Sequence, residues 1–206
     1  MPVIVISHPL AQHLLTTLRD VRTEPAQFRQ VSNNLATLLA IEATRDLELS
    51  VRDVQTPLEK VEAPILGKRL AVVPILRAGL GMLESALDLF PEVSVGYIGL
   101  ERDETTARAH TYYCKLPSLE GCMTLCFDPM LATGGSASQA ISFLKAKGAD
   151  DIRFVSIISA PEGIDRLESD HPDVPIYTTS VDRELNANKY IVPGLGDFGD
   201  RLYGTP

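Results

Sequence analysis

A doubly wound α/β fold, with a mostly parallel central sheet and helices on both faces, is predicted by three features of this 206-residue sequence. Nearly all-apolar runs recur at 69–76, 93–100, 123–127 and 152–160, with a weaker one at 176–181. Helical patterns fill the intervals, and unusual loops follow the runs. A run without polar alternation suits a strand buried on both faces, as in a helix-covered parallel sheet. Repeated alternation of strand and helix is the layer pattern of such a sheet, whose ligands sit at the carboxyl ends of the strands.

Taken in order, the amino-terminal stretch MPVIVISHPL reads as a first strand, since no basic segment precedes its short apolar run and no small-residue cleavage site follows. Leu10, Leu14, Leu15 and Leu18 recur at helical spacing. So do Phe28, Val31, Leu35, Leu38 and Leu39, in a second helix that Thr23 and Pro25 open. Both read as core cover, and any apolar face left over would serve a dimer contact. Leu47, Leu49 and Val51 alternate with polar residues up to the Thr56-Pro57 break, which predicts a half-buried antiparallel or edge strand, a small addition to the main sheet. The intervening helices are expected at 80–89, at 136–147 up to Gly148, and in a short piece at 164–168.

Composition narrows the function classes. The 19 basic against 27 acidic residues leave a formal charge of −8, which opposes general binding to nucleic acid or anionic lipid. No stretch approaches the roughly 18 apolar residues of a membrane span. Cys114, Cys122 and Cys126 are odd in number and lack CxxC spacing, so a reduced, cytoplasmic chain is expected. His8, His13, His110 and His171 are too scattered to suggest a zinc site.

Three strand-end loops carry the chemistry. Arg77-Ala78-Gly79 places a cation where the run 69–76 stops. The polar stretch 101–113, ERDETTARAHTYY, reads as a lid. Third is FDPMLATGGS at 127–136: an acid, Asp128, ends the strand, and two adjacent glycines let main-chain N–H groups turn inward ahead of a helix start. On these residues alone it is either a phosphate cradle with a carboxylate at its lip or an ordinary strand-to-helix turn with a Ser cap. In the tail, Gly194, Gly196 and Gly199 match the letters of a dinucleotide fingerprint, but no βαβ unit follows; their use is close approach of the main chain to a flat ligand.

VPILRAGLGM at 73–82, DPMLATGGS at 128–136, APEG at 160–163, HPDV at 171–174 and GLGDFGD at 194–200 occur in that order. With these motifs the chain resembles the uracil phosphoribosyltransferases over essentially its whole length. The resemblance implies one phosphoribosyltransferase domain over 1–206 that transfers the phosphoribosyl group of 5-phosphoribosyl 1-diphosphate (PRPP) to uracil. The products would be uridine monophosphate (UMP) and diphosphate, with Mg²⁺ as cofactor. It assigns Thr133, Gly134, Gly135 and Ser136 to the 5′-phosphate, Asp128 to the ribose hydroxyls, and Arg77 and Arg102 to the diphosphate. Pro129, Met130, Leu131 and Ala132 complete the PRPP loop. Ile191, Gly196 and Phe198 would present main-chain groups to uracil, with Asp197 near both substrates and reaching the metal through water. Arg77, Arg102 and Asp128 are then the catalytic set, and no residue stands out as general base for uracil N1.

The sequence departs from the wider superfamily in having Pro129 beside Asp128 where two acids are usual, and from the expected tail in having Phe198 where alanine is expected. The resemblance further implies a homodimer or homotetramer, and GTP activates parts of the family. Competing readings are a non-enzymatic RNA-binding pyrimidine regulator on the same fold, which the net acidity disfavours, and a transferase for another nucleobase.

Overall fold

The computed structural model describes residues 2–102 and 109–205. Its elements are β1 (Val3–Val5), α1 (Pro9–Arg19), α2 (Pro25–Ala43), β2 (Leu49–Gln55), β3 (Lys60–Leu66), β4 (Arg69–Leu76), α3 (Leu80–Leu89), β5 (Ser94–Val95), β6 (Tyr97–Arg102) and β7 (Ala109–Lys115). There follow β8 (Cys122–Phe127), β9 (Met130–Leu131), α4 (Gly135–Ala146), β10 (Asp151–Ser159), α5 (Pro161–Asp170), β11 (Ile176–Val181), β12 (Glu184–Leu185), β13 (Ile191–Val192) and α6 (Phe198–Tyr203). The main sheet runs β1-β11-β10-β8-β4-β6-β7, with β5 on β4 and β9 on β10. Every pairing in it is parallel except β6 with β7. The doubly wound α/β reading therefore holds.

Alternation along the strands builds two cores. Val72, Leu125, Phe127, Val155 and Ile157 face α1, α2, α3 and α6, whose Leu15, Phe28, Met82 and Phe198 fill the space between. Their neighbours Ala71, Val73, Cys126 and Phe154 face the opposite way, toward Ala140, Ile141 and Leu144 of α4 and Leu167 of α5. Each central strand is thus apolar on both faces, which is why its sequence shows no alternation. Buried Arg153 of the interior strand β10 ties α2 to the sheet: its guanidinium donates to the Ala43 carbonyl at the end of α2, at 2.7 Å, and to the Asp46 carboxylate.

Several local expectations change. The run 93–100 is broken at Gly96 into β5 and β6, because a Cβ there would lie 2.7 Å from the Leu116 side chain. The stretch read as a lid begins and ends in strand: β6 reaches Arg102 and β7 starts at Ala109, with Arg102 opposite Ala109. Its middle, 103–108, lies outside the described residues. The strand near Thr56 is β2, antiparallel to β3 as expected, but among the described residues it joins no other strand and is mostly exposed, with Leu49, Val51 and Leu66 each at least half open. The tail, read as turns, closes with α6, and the short piece at 164–168 is the longer α5.

Sheet order positions the site. From β4 the chain proceeds outward to β6 and β7, then returns to place β8 on the other side of β4 and continues through β10 to β11. The direction of winding reverses between β4 and β8, the place where such sheets open a crevice. Register there pairs Pro74 with Phe127 and Phe127 with Val155, so the turn after β4, at 77–79, lies against the end of β8, where Asp128 follows. Gly79 makes that closeness possible, since a Cβ on it would stand 2.5 Å from the Phe127 carbonyl oxygen and 2.7 Å from that of Ile75. Gly79→Ala is expected to destabilise by about 1–3 kcal/mol through overpacking. A thermal melt checks this, and an unchanged midpoint would show that the turn yields without cost.

Candidate active site

Asp128 ends β8 at the point where the strand leaves cover. Its N–H donates to the Val155 carbonyl at 3.2 Å, and the Pro129 carbonyl accepts from Ile157 and Ile158 at 3.0 and 3.1 Å. These bonds bend the chain into β9, which rejoins β10 at Ile158 and Ser159. The loop that follows, Ala132 to Gly134, turns into α4 with Gly134 in the left-handed region at φ 75°. A Cβ at Gly134 would lie 2.9 Å from both the Gly163 carbonyl oxygen and Arg166. Glycine is required there for space as well as for conformation.

The cradle is braced from α5. Gly163 lies so close beneath it that a Cβ would be 2.5 Å from the Ala132 carbonyl oxygen. At the far end of α5, Asp170 accepts from Ser138 Oγ at 2.6 Å and from Arg166 Nε at 2.5 Å, and His171 Nε2 stands 2.8 Å from the Ser138 carbonyl. The Ser138 and Arg166 bonds hold the Asp170 carboxyl below the usual carboxylate range. The first turn of α4 is therefore fixed, with its N–H groups aimed into a hollow of about 110 Å³ lined by Asp128 and residues 130–137. Free N–H groups and the helix dipole make such a place favourable to a phosphate.

A second hollow of about 280 Å³ shares Met130, Ala132 and Thr133 with the first and is closed by Asn188, Lys189, Tyr190, Ile191, Gly196, Asp197 and Phe198. The sequence-predicted PRPP loop and uracil residues thus border adjoining hollows. Ile191 is buried in β13, paired with Leu185 of β12. Asp197 is exposed and caps α6, its Oδ1 accepting from the Asp200 N–H at 2.9 Å. The Phe198 ring is 2% exposed and packs edge-on to Phe28, centroids 5.1 Å apart. Its bulk belongs to the core beneath, and its main chain borders the hollow. Asn188, Lys189 and Tyr190 were not anticipated. The available signals were an exposed aromatic at Tyr190 and, in the structure, a non-glycine left-handed residue at Lys189, φ 66°.

Arg77 is exposed just beyond β4, and its carbonyl accepts from Tyr203 Oη at 3.3 Å. Arg102 ends the neighbouring strand β6, where Leu76 is paired with Gly99; its side chain lies outside the described residues. A larger hollow of about 470 Å³ opens at the amino end of β4, between 66–70 and 89–94, and contains none of the candidate residues. Among the described residues, no cluster of three or more His, Cys, Asp or Glu is placed to hold a metal, and no helix is long and apolar enough to cross a membrane.

Burial pushes the Asp128 carboxyl up to about 7, and the Met130 N–H, donating to it at 3.4 Å, only weakly opposes this. Burial also pushes the Cys126 thiol, one turn of the pleat earlier, above its usual range. A carboxyl whose folded pKa exceeds its unfolded 3.8 takes up a proton on folding, so it weakens the fold as pH rises from about 3.8 through about 7. Asp128→Asn should accordingly be more stable than the parent at pH 8, with the advantage shrinking toward pH 4, as read from denaturant midpoints across that range.

The uracil phosphoribosyltransferase family pattern matches residues 5–205. A uracil phosphoribosyltransferase of Bacillus pumilus is 51% identical over 205 residues, covering 98% of each chain. One from Dictyoglomus turgidum is 53% identical over 205 residues, covering 98% of this chain and 99% of its own. Among solved structures, a protein from Aquifex aeolicus superposes with a TM-score of 0.94 at 39% identity, covering 98% of this chain and 97% of its own. A hypoxanthine phosphoribosyltransferase from Trypanosoma cruzi, at 12% identity and a TM-score of 0.50 over 79% of this chain and 76% of its own, shares the fold.

Proposed function

Because this chain belongs to the uracil phosphoribosyltransferase family, we propose that the two adjoining hollows divide its substrates, PRPP in the cradle and uracil against the tail. The reaction is transfer of the phosphoribosyl group from PRPP to uracil, giving UMP and diphosphate. The observation that carries the division is continuity: Met130, Ala132 and Thr133 line both hollows, so a sugar lying across them would join the phosphate site to the base site.

In this reading the N–H groups from Thr133 to Ser136 hold the 5′-phosphate, with Pro129 to Ala132 shaping the loop beneath the sugar. That binding energy, remote from the reacting bond, orients C1 for displacement. Asp128 accepts from the ribose hydroxyls and, once ionised, favours positive charge on the sugar. Arg77 and Arg102, at the ends of adjacent strands, answer charge growing on the leaving diphosphate, a role for which the guanidinium fork suits phosphate oxygens. Mg²⁺, arriving with the diphosphate, would supply further charge neutralisation there. Asp197 fits it as a water-mediated contact, being exposed at the rim with Oδ1 already engaged by Asp200. Ile191, Gly196 and Phe198 offer main-chain groups to the edge of uracil, which distinguishes it from cytosine because a donor facing a donor is left unpaired.

Self-association as a dimer or tetramer is supported by the apolar strip of Leu49, Val51 and Leu66 on the β2–β3 hairpin. Free Cys114, Cys122 and Cys126 are compatible with a cytoplasmic setting.

A product assay with uracil, cytosine, hypoxanthine and orotate, with and without GTP, tests base choice and activation together; UMP formed from uracil alone is the expected result. Arg77→Ala, folded by circular dichroism, is expected to lose about 10²–10³ in kcat/KM, and near-normal turnover would remove Arg77 from the diphosphate role. Since Asp128 must ionise to accept from the ribose, kcat/KM for PRPP should rise with pH through about 7 in the parent and lose that limb in Asp128→Asn.

A further inference from the structure

Gly194 and Leu195, the two residues before the tail glycine of the base subsite, have their carbonyls held by two arginines far apart in the chain. Arg19, the last residue of α1, donates from Nη1 to the Gly194 carbonyl at 2.7 Å. The same guanidinium forms a bidentate pair with Asp182, at 2.7 and 2.5 Å, and Nη2 also reaches Ser180 Oγ at 3.2 Å. Asp182, whose side chain is only 2% exposed, accepts in turn from the Gly194 N–H at 2.9 Å. Both main-chain polar groups of Gly194 are therefore fixed by one ion pair. Arg201 performs the matching task one residue on. Its Nη1 donates to the Leu195 carbonyl at 2.7 Å and to the Leu18 carbonyl, while Nη2 donates to the Asp20 carbonyl at 2.6 Å. The guanidinium lies 4.5 Å above the Phe28 ring, against which Phe198 packs.

The geometry of a trans peptide gives this clamp a direction. Its C=O and N–H point opposite ways, so holding the Leu195 carbonyl toward Arg201 and the core turns the Gly196 N–H toward the other side. Leu195 is 3% exposed and does not border the base-side hollow, whereas Gly196 does. Among the described residues the Gly196 N–H donates to no other group. Gly196 is itself left-handed, φ 81°, so the position tolerates this orientation without a side-chain penalty.

We propose that Arg19 and Arg201, with Asp182, are positioning residues for nucleobase selection: they aim the Gly196 N–H into the base subsite without touching the base. The inference rests on the reading of that hollow as the uracil site. Neither arginine hydrogen-bonds to the cradle, Asp128 or Arg77, so the larger effect should fall on the base. A purely structural role would instead weaken both substrates together or lower stability alone.

The test uses Arg19→Lys and Arg201→Lys, which keep the charge but lose the fork that engages several acceptors at once. Each should raise KM for uracil by about tenfold and narrow the preference for uracil over cytosine, with KM for PRPP changed by less than about twofold. Parallel rises in both KM values, or none, would overturn the clamp. Should Arg201→Lys fail to fold, Arg19→Lys carries the same comparison, and Asp182→Asn repeats it from the acid's side. The Gly196 amide resonance of the unaltered protein separates the two layers of the argument. If uracil fails to shift it, the base-site reading is wrong. If uracil shifts it and the Lys variants keep the parent's KM for uracil, the clamp alone is wrong.

Discussion

The insertion of β8 between β4 and β10 is the constraint on which the other features depend. Paired on both edges and covered on both faces, β8 carries no charged side chain from Cys122 to Phe127. Asp128 is the first place at which the strand can display a carboxylate, and it does so with so little water that its proton affinity rises. The same confinement sets the turn after β4 against the end of β8 and sends the chain into the cradle through the Pro129 carbonyl. A site assembled this way needs few dedicated interactions, because the backbone ladder has already done most of the placing.

The two faces of the sheet then divide the work. On one, α4 and α5 brace the loop at 132–137, the proposed phosphate end, through Ser138, Asp170, His171 and the close fit at Gly163. On the other, α1, α2 and α6 hold the tail at 194–198, the proposed base end, through guanidinium contacts and the Phe28–Phe198 pair. The sheet joins the two, and so does Glu162 of α5, whose carboxylate accepts from the Leu185 N–H of β12 at 3.0 Å; the two hollows meet at Met130, Ala132 and Thr133. Substitutions in one unit are expected to add to those in the other when no partner is shared.

Most of the fold and the strand–turn–helix geometry at 127–136 were legible in the sequence because burial on two faces and glycine at a strand end leave local marks. Val72 and Val73 can both be apolar only in a strand covered twice, and Gly134-Gly135 before a helical spacing has few other uses. What escaped depends on partners distant in the chain. Ala109 to Lys115 is polar enough to pass for a loop, and becomes a strand only because β6 offers an edge. The helix of Phe198 to Tyr203 is too short to announce itself by periodicity, and it forms where Asp197 caps it and Phe198 finds Phe28, some 170 positions earlier. The bulk of Phe198 could not be placed on one side or other of the main chain without that neighbour. Lys189 and Tyr190 border the base-side hollow through loop geometry, for which letters alone carry little signal.

The fit of Gly163 under the cradle also sets a direction for redesign. On that side the loop carbonyls already stand closer than a methyl group would allow, so the pocket floor is a rigid helix backbone and cannot be carved deeper by trimming side chains. At Gly135 the opposite holds: an added Cβ would meet nothing nearer than Thr133 Oγ1 at 3.8 Å. An engineer seeking to admit a different phosphate ester, or to narrow the choice of donors, would therefore work from the mouth of the loop, where new atoms have somewhere to go, and leave its floor alone.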